Sequence, residues 1–185
     1  MNPHLPTRLN DLFLFAMMLT MAEILTFAMI LQYRGGEIPC PLCLLQRVAM
    51  FGVCFGVMLH FRGGTSVRND AMSMLFALFL LIVSVRQTLL DIYPRPGHEY
   101  IGSAIFGVHM PVWSVIISVA ILLAYTIKIV ALGDDNLRDD ERPELMTHAQ
   151  SLLSYYVIAL CAINFVSVVA QCGMQACHTM GYKLL

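Results

Sequence analysis

Charge is what this sequence has least of. Only 12% of its 185 residues are Asp, Glu, Lys or Arg, against about 25% in an ordinary soluble domain. The formal net charge is −1, and no basic cluster offers a grip on nucleic acid. No internal repeat or low-complexity tract is visible. A cleavable leader is not expected, because the first apolar run is too long for one and lacks a small-residue cleavage site. That run is expected to stay as an anchor. What remains is apolar: 58% of the chain is hydrophobic and the mean hydropathy is +0.73.

The apolar residues are gathered into blocks. A span needs about 20 mostly apolar residues, and five candidates are present: 12–32, 44–61, 71–90, 112–132 and 152–170. Lipid offers no partner for exposed backbone N–H and C=O groups, so these runs are predicted to be helices. The expected class is an all-α integral membrane bundle. Pro94, Pro96 and Gly97 close the third helix. The connection "GDDNLRDDERPELMTHAQ" is charged enough to be a polar loop over 133–150.

Lys and Arg set the orientation. A cytoplasmic N-terminus puts Arg8, Arg62, Arg68, Lys128, Arg138 and Arg142 inside, and Arg34, Arg47, Arg86, Arg95 and Lys183 outside. The bias improves when Arg47 and Arg86 are set aside as helix residues near the outer surface. Five spans then place the C-terminus outside. By the same parity, Cys40 and Cys43 of "EIPCPLCLLQR" share the outer face with Cys172 and Cys177 of "QCGMQACHTMGYKLL". If that face is the bacterial periplasm, disulfides are allowed there.

Pro41 suits the first turn of a helix, where its missing N–H is no loss. Cys40 is then expected at about the N-cap and Cys43 in the first turn, where the positive end of the helix favours a thiolate. Arg47 lies one turn deeper on the same face as Cys43. A charged arginine at the edge of the hydrocarbon is a functional candidate, and a membrane-dissolved quinone suits it: the ring arrives through lipid and gains negative charge on reduction. The expected chemistry has Cys43 attack the ring, Arg47 stabilise the growing charge, and Cys40 close the disulfide. Other readings stay open here. C-X-X-C also serves zinc and structural disulfides, although the 33–43 loop offers no further Cys or His. Arg47 alone could snorkel to headgroups.

"PCPLCLLQR" at a helix start, with "RQTLLDIYPRP" and "FGVHMPVW" further on, closely resembles the disulfide bond formation protein B (DsbB) family over about residues 10–132. The resemblance implies a four-helix transmembrane bundle over 1–132, a bound ubiquinone or menaquinone, and a periplasmic DsbA-like thioredoxin-fold oxidase as electron donor. It implies that Cys40 and Cys43 are the quinone-reducing dithiol and Arg47 the quinone-contacting arginine. Arg86 is drawn towards the same pocket on this ground. One departure stands out: the family's second cysteine pair, in the loop between spans three and four, has no counterpart in 91–111. The fifth helix and tail, 151–185, also fall outside the family pattern. Cys172 and Cys177 are therefore expected to stand in for the missing pair, with Gly173 easing the turn and His178 raising the thiolate fraction of Cys177. The alternatives are a dedicated partner served through Cys40 and Cys43 alone, or a non-catalytic subunit with structural cysteines.

Glu23, mid-span in the first helix, is either a proton donor to the quinone or a protonated side chain bonded to a neighbouring helix. Cys54 and Cys161 are expected to be small buried hydrophobes. His109 and Trp113 are expected at the start of span four, with Trp113 as an interface anchor. The thirteen methionines read as adaptable packing rather than copper ligands.

Overall fold

The computed structural model describes residues 5–36, 38–93, 104–132 and 143–173. Among the described residues there are five helices: α1 (Leu5–Arg34), α2 (Pro41–Gly63), α3 (Val67–Ile92), α4 (Met110–Leu132) and α5 (Glu144–Cys172). All five are long and apolar enough to cross a bilayer. This is a multi-pass, all-α membrane protein.

The helices outlast their apolar stretches, because backbone bonding continues into the polar turns at each end. The largest difference is at α5. Residues 144–150, expected in a polar loop, form its first turns. The charges that suggested a loop conceal a helix start, with Pro143 ahead of the first turn and Glu144 at its positive end. Between α3 and α4 a short hairpin pairs β1 (Ala104–Ile105) with β2 (Val108–His109). Both turn residues, Phe106 and Gly107, have positive φ (52° and 75°), the geometry of a type I′ turn. Glycine accepts it freely and phenylalanine does not, so "IFGV" gave no hairpin signal. His109 accordingly ends β2, and the helix begins at Met110.

α2 is the central helix. It packs along α3 on one side and touches α1 and α5 on the other, while α4 packs on α3. Gly52 and Gly56 sit four apart on α2 and let α3 approach closely. A Cβ at Gly52 would run into the Phe76 ring, and one at Gly56 into Ser73. At that crossing Ser73 Oγ donates to the Val53 carbonyl at 3.2 Å. Leu14, Met18, Met21 and Leu25 form the inward stripe of α1, and Ala49, Val53 and Val57 that of α2. Cys54 is buried as expected, but Cys161 is exposed on the outside of α5. Its neighbours in sequence gave no phase, because α5 is apolar on most sides.

A buried polar cluster ties α2, α3 and α4 together at the end remote from Cys40. Lys128 Nζ donates to both carboxylate oxygens of Asp70, at 2.6 and 2.7 Å, and His60 Nε2 lies 2.8 Å from the same group. Tyr125 packs over it, 5.8 Å from Nζ and edge-on to Phe13. Lys128 is thus a buried ion-pair partner rather than a surface charge at the membrane face. Nearby, Asn10 Nδ2 donates to Thr65 Oγ1 at 3.2 Å, joining α1 to the α2–α3 connection.

Candidate active site

Pro41 is the first residue of α2 and Cys40 is its N-cap. The Cys43 amide donates to Cys40 Sγ at 3.1 Å, so the free N–H of the first turn is spent on sulfur. Cys40 and Cys43 are joined in a disulfide. Cys40 is buried. Cys43 lines a cavity of about 140 Å³.

The cavity is bounded by Ile24, Phe27, Ala28, Leu31 and Gln32 of α1, by Ile38 and Pro39, by Cys43, Gln46, Arg47 and Met50 of α2, and by Met110 and Ser114 of α4. Its size matches a cavity of about 150 Å³ that takes up a benzene ring. Phe27 is 47% exposed, so the α1 wall is one side chain from the acyl chains. Most walls are apolar, and Gln46, Arg47 and Ser114 give one polar edge. That set suits a flat apolar ring carrying carbonyl oxygens.

Two hydrogen-bond networks hold the sulfurs and Arg47. In the first, Gln87 Nε2 of α3 lies 3.5 Å from Cys40 Sγ and 3.4 Å from Cys43 Sγ. Its carbonyl accepts from Gln46 Nε2 at 3.0 Å. Gln46 Nε2 also donates to Ser84 Oγ at 3.2 Å, and Ser114 Oγ donates to Gln46 Oε1 at 3.4 Å. The chain of bonds runs from α4 through α2 and α3 to the sulfurs.

The second network holds Arg47, which is only 9% exposed and does not snorkel. Its Nη1 donates to Gln32 Oε1 at 2.5 Å, to Asn164 Oδ1 at 3.2 Å and to Met29 Sδ at 3.3 Å. Its Nη2 donates to the Ala28 carbonyl at 3.1 Å. Gln32 is fixed in turn, its Nε2 donating to Ser167 Oγ at 2.7 Å. At the end of α5, Gln171 Nε2 donates to the Pro39 carbonyl at 2.9 Å, one residue before Cys40.

Cys43 and Arg47 therefore meet on one cavity, and Arg86 does not join them. It is exposed on the outer side of α3, in a shallow groove with Leu81, Ile82, Val85, Leu89, Leu90 and Tyr93. One helix position separates it from Gln87, and that 100° turn sends Gln87 inward and Arg86 outward. Glu23 is also exposed, in a separate groove between α1 and α5 that includes Thr26 and Tyr156, whose hydroxyls lie 2.7 Å apart. Cys172 is buried at the last turn of α5 and is disulfide-bonded. Cys177 and His178 lie outside the described residues. The residues missed from sequence are Gln32, Gln46, Gln87, Asn164, Ser167 and Gln171. Their signal was available: each is a polar side chain inside or at the edge of an apolar span, where an unsatisfied group is expensive. Among the described residues no cluster of three or more His, Cys, Asp or Glu side chains could hold a metal.

The model of the family described as "Disulfide bond formation protein DsbB" matches residues 10–99. Two curated relatives named "Disulfide bond formation protein B" are similar to this chain. The one from Azoarcus sp. (strain BH72) is 38% identical over 106 residues, covering 52% of this chain and 63% of its own length. The one from Chromobacterium violaceum is 34% identical over 101 residues, covering 49% and 58%. The chain thus spans about three fifths of the length of these relatives. No solved structure matches it. The matched residues run from the first turns of α1 past the end of α3 and include the dithiol, Arg47 and Gln87, and over that stretch this chain is similar to the disulfide bond formation protein DsbB family.

Proposed function

We propose that this chain is a membrane thiol–quinone oxidoreductase. It reoxidises a DsbA-like thioredoxin-fold dithiol protein and passes the electrons to ubiquinone or menaquinone. Its place is a bacterial inner membrane, with the N-terminus cytoplasmic and the dithiol on the periplasmic side. The observation that carries this reading is that Cys43 and Arg47 line one cavity of ring size beside a lipid-exposed phenylalanine.

The bookkeeping has two halves. The partner's dithiol loses two electrons and two protons, and the Cys40–Cys43 disulfide becomes two thiols. A quinone, when bound, supplies the sink: it accepts two electrons and two protons as the disulfide is restored. The residues divide the work. Cys43 faces the cavity and presents the attacking sulfur. Cys40, held by the Cys43 amide, is the sulfur that closes the bond. Gln87 donates to both and steadies whichever is anionic. Arg47 offers a fixed cation to an oxygen whose charge grows during reduction, and fixed donors of this kind need no reorganisation as the charge appears. Ile24, Leu31 and Met50 keep water from the ring.

The test uses the full chain in detergent with a reduced thioredoxin-fold protein and a short-chain ubiquinone, following quinone absorbance. Cys43→Ser should abolish turnover. Arg47→Ala should lower kcat/KM for quinone about a hundredfold, the usual effect of losing one preorganised donor. A full rate in Arg47→Ala refutes the reading.

The electrons enter, on this proposal, through the end of α5. The bond from Gln171 to the Pro39 carbonyl holds that end against the Cys40 loop, and Cys172 is the next residue. The double variant Cys172→Ser/Cys177→Ser should slow oxidation of the partner protein while leaving oxidation of a small dithiol unchanged. Unchanged partner turnover removes this route and leaves direct exchange with Cys40–Cys43.

A further inference from the structure

Most of α5 is apolar, as a lipid-facing helix should be. Ile158, Ile163, Phe165 and Val166 all point outward. Towards its C-terminus, however, one face turns polar: Asn164, Ser167 and Gln171, spaced by three and four, are all buried. A helix that only filled space would place apolar side chains there. Each of these three instead reaches a group of the dithiol site. Asn164 Oδ1 accepts from Arg47 Nη1, Ser167 Oγ accepts from the Gln32 amide that itself accepts from Nη1, and Gln171 donates to the Pro39 carbonyl.

We propose that Asn164 is a positioning residue for quinone reduction. With the Ser167–Gln32 pair as a second strut, it aims the Arg47 guanidinium across the cavity. This rests on the function proposed above and assigns α5, which lies beyond residues 10–99 matched by the family, a part in the same site. A guanidinium is planar, so its direction is set once both terminal nitrogens are held. Ala28 holds Nη2 from α1, whereas the hold on Nη1 is shared between α1 and α5. Without Asn164, Nη1 keeps Gln32, but Arg47 can rotate about the α1 contacts. The cost falls on whatever Arg47 contacts in the cavity. The thiol substrate gives its electrons to sulfur, at the end of α5 or at Cys40–Cys43 directly, and not to Arg47.

That difference gives a readout that a packing role would not produce. In the purified full-length protein, KM is measured separately for a short-chain ubiquinone and for a reduced thioredoxin-fold protein. Asn164→Leu should raise the quinone KM about tenfold, the scale of one bond to a charged group, and leave the thiol KM unchanged. Asn164→Asp keeps an acceptor for Nη1 and should restore the quinone KM. Ser167→Ala, which removes only the hydroxyl that accepts from Gln32 Nε2, should raise it by a smaller factor in the same direction. An unchanged quinone KM in Asn164→Leu and Ser167→Ala overturns the assignment while leaving Cys43 and Arg47 in place. Both KM values rising together, with a lowered melting temperature, mark Asn164 as packing only and also overturn it. Absence of quinone reduction by the unsubstituted chain overturns the function itself, and this inference with it.

Discussion

Replacing Gln87 by leucine should make the Cys40–Cys43 pair harder to reduce. Gln87 Nε2 sits 3.4 and 3.5 Å from the two sulfurs and is nearly buried, so water does not take over its bond. In the disulfide it donates to a neutral sulfur, a bond worth about 0.5–1.5 kcal/mol; against a thiolate it donates to a charge, worth about 1.5–3 kcal/mol. The difference, about 1–1.5 kcal/mol, belongs to the reduced state alone. For a two-electron couple about 1.4 kcal/mol corresponds to 30 mV, so Gln87→Leu should move the potential about 20–30 mV more negative. The sign follows because the lost bond stabilised the reduced form. The assay equilibrates the protein in graded dithiothreitol buffers and counts free thiols by mass-tagged alkylation. Cys172 and Cys177 are replaced by serine, so that one disulfide is read. Leucine matches the volume of glutamine and fills its site. An unchanged potential, or one that moves positive, refutes the link between Gln87 and the sulfurs.

Two further outcomes test the fold and the limits of the site. Asp70→Asn strips the charge that Lys128 and His60 face in the buried cluster. Unfolding in detergent should show a loss of about 3–5 kcal/mol, most of it recovered by Asp70→Leu/Lys128→Met, because a paired replacement leaves no lone buried charge. Arg86→Ala should leave the quinone KM within about twofold of the unsubstituted value, the range of a surface change, since Arg86 lies outside the cavity of Cys43 and Arg47. A tenfold rise would place a quinone contact on the outer face of α3.

Length and hydropathy were enough to count the helices, because a bilayer demands an unbroken apolar run for every crossing and tolerates no other backbone. The N-cap at Cys40 was equally legible. Proline after it and the apolar run beyond fix the helix start locally, and with it the step of four that puts Cys43 and Arg47 on one face. The family resemblance rested on the same few residues. What lay hidden was rotation and pairing. Arg86 and Gln87 are neighbours in sequence, and only the packing of α3 on α2 decides which of them turns to the sulfurs. Cys54 and Cys161 look alike in their spans, yet one is in the core and the other faces outward.

The sequence by itself determined that this chain crosses a membrane as helices and opens one of them with a dithiol, because both follow from local chemistry: backbone bonds in lipid, and the geometry of a first turn. Only the tertiary structure decided that α5 is part of the site, through contacts between residues more than a hundred positions apart. No spacing rule reaches that far. Side chains that must find partners in a low-dielectric interior do so across helices, and which helices stand side by side is settled by the packing of the whole bundle.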